Sequence, residues 1–509
     1  MQNNLDRSKR ITKNTLFLFF RMALVLCVNL FTSRVILDIL GIDDYGIYNV
    51  VGGVVIFFSF FQNALTNATY RFFAYDVGKN NISDLKHTFS MALNIHLILS
   101  LVIFVLCETV GLYIINKALN IDESRMFAAN IAYHFSVLCF CLSVFRTPYN
   151  SAIIAHEEMS FFALTGIIEV FLKLAIVYML LLFDIDKLTL YSFLVFSITL
   201  FISIWYYLFC KRHFSECNYE RYWDGNQCKK MLHYSGWSLV VNGADVSVSQ
   251  SIVFFVNIFF GVAANAALGL ANQIGTQLNQ FLSSFTQAYN PQIIKSYASG
   301  DKDYFIKLIF TSSKVSYFLL LLVSIPIILN IDFILDLWLK NPPKETGSFI
   351  KFVIAYSLVD AYSAPLWIGV HATGKLKTHQ ILMSSIKILN IPLAYIMLKM
   401  GLQAWTILAL KAGLNIVCSI VRPCYVKKLY DLPLKKYMIQ VFGVVYLITI
   451  IVLPLPTYLA TTISSSWTRL FTTSLTYFLI FFPTVFFIGL TPVERNFVKG
   501  IIAKRFSRK

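Results

Sequence analysis

Residues Asn14–Ile36 read NTLFLFFRMALVLCVNLFTSRVI, an apolar run preceded by Arg7, Lys9, Arg10 and Lys13. A helix crosses the hydrocarbon of a bilayer in about 20 residues at 1.5 Å each, so this run is long enough to span. A cleavable leader has a shorter apolar core followed by small residues. Nothing of that kind interrupts the sequence before Ile36, and the run reads as an uncleaved first span.

A window of about 20 residues places about fourteen such spans, near 14–36, 45–66, 89–115, 126–146, 160–182, 188–210, 232–258, 262–288, 312–338, 349–370, 379–399, 402–421, 438–460 and 469–490. Composition agrees: the 509 residues are 57% hydrophobic and 14% charged, against about 45–50% and about 25% in soluble domains. The expected fold class is therefore an all-α membrane protein. The net charge of +17 does not indicate nucleic acid, because no soluble segment is long enough to carry a basic face. The nine cysteines show no CxxC pair and read as reduced structural thiols.

Lys and Arg are retained in cytoplasmic loops. The alternate connections that include both termini hold roughly 28 of them and the other set roughly 7, which puts both ends in the cytoplasm. The C-terminal stretch Asn496–Lys509 interleaves Phe497, Ile501, Ile502 and Phe506 with Lys499, Lys504, Arg505 and Arg508. It reads either as an amphipathic helix on the anionic inner leaflet or as a solvated basic tail.

The chain also repeats itself. At an offset of 220, Gly41-Ile42 falls on Gly261-Val262, Phe61 on Phe281, Thr66 on Thr286 and Ala68 on Ala288; at 217, Pro148 falls on Pro365, Ala155 on Ala372 and Tyr178 on Tyr395. Spans one to six then correspond to seven to twelve, with two appended. An even repeat enters the membrane the same way twice, which relates the halves by a pseudo-two-fold axis along the membrane normal. The expected organisation is a six-helix lobe over 1–210, a cytoplasmic linker over 211–230, a second six-helix lobe over 231–421, and two extra spans with a basic tail over 422–509.

Several segments carry a resemblance: Thr12-Lys-Asn-Thr15, Gly41-Ile-Asp-Asp-Tyr-Gly-Ile-Tyr48, Thr147-Pro-Tyr-Asn-Ser-Ala-Ile-Ile-Ala-His-Glu157, Ala372-Thr-Gly-Lys375 and Asn390-Ile-Pro-Leu-Ala-Tyr395. The chain resembles the polysaccharide-export branch of the multidrug/oligosaccharidyl-lipid/polysaccharide (MOP) flippase superfamily, most closely the O-antigen flippases of Wzx type. The resemblance implies a two-lobed bundle in the bacterial inner membrane. Its cargo would be an undecaprenyl-diphosphate-linked oligosaccharide moved from the cytoplasmic to the periplasmic leaflet. It also implies a monomer working beside the polysaccharide polymerase and glycosyltransferases of its pathway.

Charged residues at span centres cost about 2.5–3.5 kcal/mol on insertion scales, so each invites an explanation. Arg34, Glu108, Arg146 and Lys314 lie near span ends, where a long side chain reaches the interface. Glu169 and Lys173 are spaced i, i+4 in the order that favours a pair, so Lys173 either neutralises Glu169 or meets substrate. Arg21 sits about 10 Å past the cytoplasmic boundary, and its fork matches a pair of phosphate oxygens. Lys387 and Lys411 lie near span centres. With the polar Asn272 and Gln273 of span eight, these make the candidate substrate-lining set.

Asp245 and Asp360 are central acids in spans seven and ten. They read either as H⁺ or Na⁺ coupling sites with Asn242 as a helper, or as partners of Lys387 or Lys411. Interior cations slightly outnumber acids, favouring an anionic cargo over the cationic drugs of the multidrug branch. No other cofactor is expected.

Enzyme motifs fail on inspection. Gly369–Lys375 has the G-x-x-x-x-G-K spacing, but Leu376 replaces the magnesium-binding hydroxyl and a span stands where a strand is needed. Asp184-Ile-Asp186 lies in a very short loop with no catalytic domain around it. His156-Glu157 lacks the second His of H-E-x-x-H, because position 160 is Ser.

Overall fold

A solvent that cannot hydrogen-bond obliges each backbone N–H and C=O to be satisfied within its own segment, and the chain answers with helix almost throughout. The structure is a computed structural model describing residues 2–79, 82–156, 158–339, 341–375, 377–464, 466–492 and 494–496. The basic tail expected over 496–509 lies, apart from Asn496, outside the described residues. Among the described residues there is no β-strand.

The helices are α1 (Gln2–Ile56), α2 (Ser59–Lys79), α3 (Ile82–Lys117), α4 (Glu123–Ala155), α5 (Met159–Met179), α6 (Lys187–His213) and α7 (Gly225–Ala298). After them come α8 (Lys302–Leu329), α9 (Thr346–Thr373), α10 (Lys377–Lys399), α11 (Trp405–Tyr430), α12 (Leu434–Thr462) and α13 (Trp467–Gly489). Twelve described segments are long and apolar enough to cross a membrane. Two of them are broken by a glycine, α1 at Gly41 and α7 at Gly261, so the twelve stand close to, but below, the fourteen spans of the hydropathy reading.

These two glycines lie 220 residues apart, the spacing of the sequence repeat. Gly41 has φ 79° and ψ 173°, and Gly261 has φ 80° and ψ −173°, a region of backbone space open to glycine almost alone. Both copies of the repeat thus break their helix at the same position with the same dihedrals.

Close backbone contacts follow both breaks. A Cβ on Gly46 would lie 2.0 Å from the backbone oxygen of Val262, and one on Gly269 would lie 2.6 Å from the Asn49 side chain. Asn49 and Gly269 are themselves 220 apart.

The chain divides into two compact units. One runs as far as Leu270 and includes Trp338–Lys344 and Ile391–Ala404. Its core gathers Phe73, Phe89, Met91, Tyr149, Ile202 and Cys210 from α2, α3, α4 and α6. At one end of this unit Arg125 donates to both carboxylate oxygens of Asp44, at 2.9 and 2.6 Å, and pairs with Asp186 at 2.7 Å. Asp186 also caps α6 through the Thr189 N–H. Burial by itself would raise the Asp186 carboxyl, but the Thr189 and Arg125 bonds outweigh it and hold it below the usual range.

At the other end of α4, His156 meets Glu216 at 2.5 Å, and Lys86 of α3 pairs with Glu220. These contacts bind residues 214–222 to the helices. Burial pushes the Glu216 carboxyl up, whereas the hydrogen bonds from His156, its own backbone and Ser215 hold it below the ordinary value.

The second unit comprises Ala271–Leu337, Glu345–Asn390 and the chain from Trp405 onward. Phe305 and Ile309 of α8, Leu366 and Val370 of α9, and Val426 and Tyr430 of α11 form its core with Tyr437. Lys314 departs from its expected reach to the interface. It is 3% exposed and donates to the Gly489 carbonyl at 3.0 Å and to Glu494 at 2.9 Å. The physical reason is the fold of the appended span: the end of α13 delivers a carboxylate to α8, which sequence spacing does not show.

Gly46→Ala is expected to destabilise the protein by about 1–3 kcal/mol, the usual cost of overpacking. Gly52→Ala, with nothing within 4 Å, should be neutral or slightly stabilising, as alanine is the better helix former. Thermal unfolding of the two variants in detergent checks the pair. A carboxyl held low in the fold contributes stability at neutral pH that disappears as pH falls through its folded value. Acidification below about pH 4.5, the ordinary glutamate range, should therefore release residues 214–222 to faster hydrogen exchange, and Glu216→Gln should flatten that dependence.

Candidate functional site

The candidate residues fall on both units. On α5, Lys173 donates to Glu169 at 2.7 Å, with the side chains 42% and 33% exposed. That is the self-neutralising arrangement of the two readings, and at such exposure the pair contributes little to stability. On α7, Asn242 is half-buried and Asp245 exposed, one turn apart on one face. Arg21 lies within α1, and its side chain is outside the described residues.

Further along α7, Asn272 is exposed and Gln273 half-buried. Asn272 uses its carbonyl to accept from Thr276 at 2.9 Å. The polar residues before them behave differently. Gln250 packs against Gly53, and Asn257 accepts from the backbone N–H of Asn120 at 2.7 Å.

The second unit assembles a polar seam where α9 and α11 pack together. The Lys411 ammonium sits over the Tyr356 ring, 5.0 Å from its centroid, and Asn415 donates to the Tyr356 carbonyl at 3.2 Å. Tyr356 precedes Asp360 by one turn, so Lys411 lies against the face of α9 that carries Asp360. Asp360 is half-buried and close enough for its charge to reach Tyr289. Next along the seam, Tyr362 donates to Ser419 at 2.7 Å. Arg422 then donates to the carbonyl of Ser363 at 3.0 Å and to its hydroxyl at 2.6 Å.

Lys411, Asn415, Ser419 and Arg422 are separated by four, four and three residues, so they share one stripe of α11. The stripe is visible in the sequence. The span reading ended at 421 and assigned Arg422 to a cytoplasmic loop, whereas α11 continues to Tyr430 and buries Arg422 to 6% exposure. Pro423 sits inside the helix. Lys387 is half-buried on α10. The seam can hold a polar or anionic group, since it brings two described cations, Lys411 and Arg422, and one described acid, Asp360, onto the packed helices α9 and α11.

The rejected enzyme motifs have structural uses instead. Asp186 caps α6 and pairs with Arg125, His156 binds Glu216, and Gly374 ends α9 in the left-handed conformation with φ 70°.

Comparison with known proteins agrees with this architecture. Residues 238–396 match the MatE family. No curated protein matches the sequence. Among solved structures, the lipid II flippase MurJ in an inward closed conformation is 13% identical with a TM-score of 0.65, covering 93% of this chain and 98% of its own. An inward-facing multidrug resistance MATE family transporter of the MOP superfamily is 12% identical with a TM-score of 0.62, covering 83% and 96%. A MOP superfamily transporter from Pyrococcus furiosus Vc1 (DSM3638) is 13% identical with a TM-score of 0.55, covering 83% and 96%. The chain therefore has a segment similar to the MatE family within a fold similar to those of a MATE transporter and the MurJ flippase.

Proposed function

We propose that the protein is a flippase that moves a polyprenyl-diphosphate-linked oligosaccharide from the inner to the outer leaflet of a bacterial inner membrane by alternating access. The carrying observation is the sign of the polar seam, where Lys411 and Arg422 lie in the second unit and Asp360 is the one acid among the seam's described residues. Such an interior favours an anionic cargo, since a buried cation is stabilised by a counter-charge that a diphosphate supplies. Coverage supports the same reading. The lipid flippase structure accounts for 93% of the chain and the MATE transporter for 83%, a difference close in size to the two appended spans.

In this mechanism the protein alternates between states open to the two faces of the membrane. The diphosphate rests on Arg21 while Asn272 and Gln273 meet the sugar, and the lipid tail stays in the bilayer. Both termini stay cytoplasmic. Lys387 and Lys411 extend the positive path, and Lys173, already paired, contributes less.

The MatE match supports a second reading, cation-coupled drug export, because residues 238–396 include both Asp245 and Asp360. There, Asp245 with Asn242, or Asp360, exchanges H⁺ or Na⁺ for a cationic drug.

Arg21→Ala should reduce glycan export in cells that depend on this chain by about 10- to 100-fold at equal expression, the value of one charge-assisted bidentate contact. Arg21→Lys should lose part of that and Lys173→Ala little. Unchanged export by Arg21→Ala defeats the assignment of Arg21. Efflux of a cationic dye by a pump-deficient host expressing the chain, lost in Asp360→Asn, selects the second reading.

A further inference from the structure

The deep end of the second unit gathers polar groups around Arg422, the seam cation to which the proposed transport path assigns no contact with cargo. Arg422 is 6% exposed; its Nη1 serves Ser363, while its Nε has no hydrogen-bond partner among the described residues. His379, at the start of α10, is 0% exposed and neither ring nitrogen has a partner among the described residues. The same holds for Nε2 of His371 near the end of α9 and for the hydroxyl of Tyr430 on α11.

Charge and packing relate these groups. His379 lies within electrostatic reach of Arg422, His371 and Lys387, and Tyr430 within reach of Arg422. The His379 ring also lies 5.6 Å from that of Tyr425 on α11. Gly369 makes room for the hydroxyl, since a Cβ there would stand 3.0 Å from the Tyr430 oxygen.

No carboxylate balances the cluster. Among the described residues Arg422 forms no ion pair. Asp360, the acid nearest along α9, stands one turn before Ser363 and is not within ion-pairing distance of Arg422. Each unsatisfied buried donor costs about 1–3 kcal/mol, and a buried charge without a partner costs more. Four side chains from three helices then share one deficit, which is acceptor oxygens carrying negative charge.

We propose that Arg422, His379, His371 and Tyr430 form a binding site for a phosphate-class oxyanion. A tetrahedral oxyanion presents several acceptors at once, enough for the guanidinium Nε, one nitrogen of each imidazole and the phenol. Water would satisfy donors but leave the charge; a halide would meet the charge without the geometry. The phosphate reaches the site either as a free ion or on a lipid headgroup, and Lys387 with the exposed Trp367, whose ring lies 3.9 Å from that of His371, marks the side nearest the surface.

The test uses the full chain in nanodiscs. In one arm, phosphatidylcholine discs are titrated with inorganic phosphate or diphosphate against sodium chloride at matched ionic strength. In the other, discs contain phosphatidic acid and the buffer contains no phosphate. The expected result is a rise in Tm of several degrees with the oxyanion and none with chloride, with the responding arm identifying a free ion or a headgroup as the source. His371→Gln should weaken binding about 10-fold, the value of one hydrogen bond to a charged group, and Arg422→Gln should abolish it. If Arg422→Gln fails to fold, His371→Gln and Tyr430→Phe carry the test. No stabilisation of the wild-type chain in either arm, or an unchanged response in the variants that fold, overturns the proposal.

Discussion

Hydrocarbon offers no hydrogen bond, and nearly every feature of this protein follows from that single property of its solvent. The backbone becomes helix because helix satisfies itself. Polar side chains then either reach an interface, pair with each other, or bond the backbone of a neighbouring helix. Lys314 shows the strictest version, placed at 3% exposure because Glu494 and the Gly489 carbonyl meet it there. Arg422 shows the incomplete version, with one nitrogen served by Ser363 and another without a partner among the described residues.

The same solvent explains the glycine breaks. Little hydrophobic force draws helices together inside a membrane, so close backbone approach and fixed hydrogen bonds do much of the packing. Gly46 against the Val262 carbonyl is such an approach, and Gly41 and Gly261 provide the backbone freedom that aims the helical arms beyond them. The equivalence of the two breaks, in dihedrals and in spacing, makes the duplication physical rather than a coincidence of biased composition.

Electrostatics divides the candidate residues into two kinds. Lys173 and Glu169 cancel on a half-exposed helix face, and Arg125 ties Asp44 to Asp186 at a unit's end. Those arrangements shape the protein more than they act on a cargo. Lys411, Asp360 and Arg422 are held within one seam by α9 and α11, where charge is neither screened by salt nor easily relocated. Function is better sought in the second kind, which the pairwise sign of each residue alone does not distinguish.

What the amino-acid order determines by itself is whatever depends on local composition and length: the spans, the charge asymmetry of their connections, the repeat with its paired glycines, and the i, i+4 partnership of Glu169 with Lys173. Each needs only the helical period and the apolar solvent. The tertiary structure alone decided which polar groups meet. Glu494 reaches Lys314 from 180 residues away, and α11 runs past Pro423 to bury an arginine that its flanking charges had assigned to a loop. His379, unremarkable along the chain, comes within electrostatic reach of Arg422 and His371 only when α9, α10 and α11 pack. Such meetings depend on distances between helices, and the period of one helix carries no record of its neighbours.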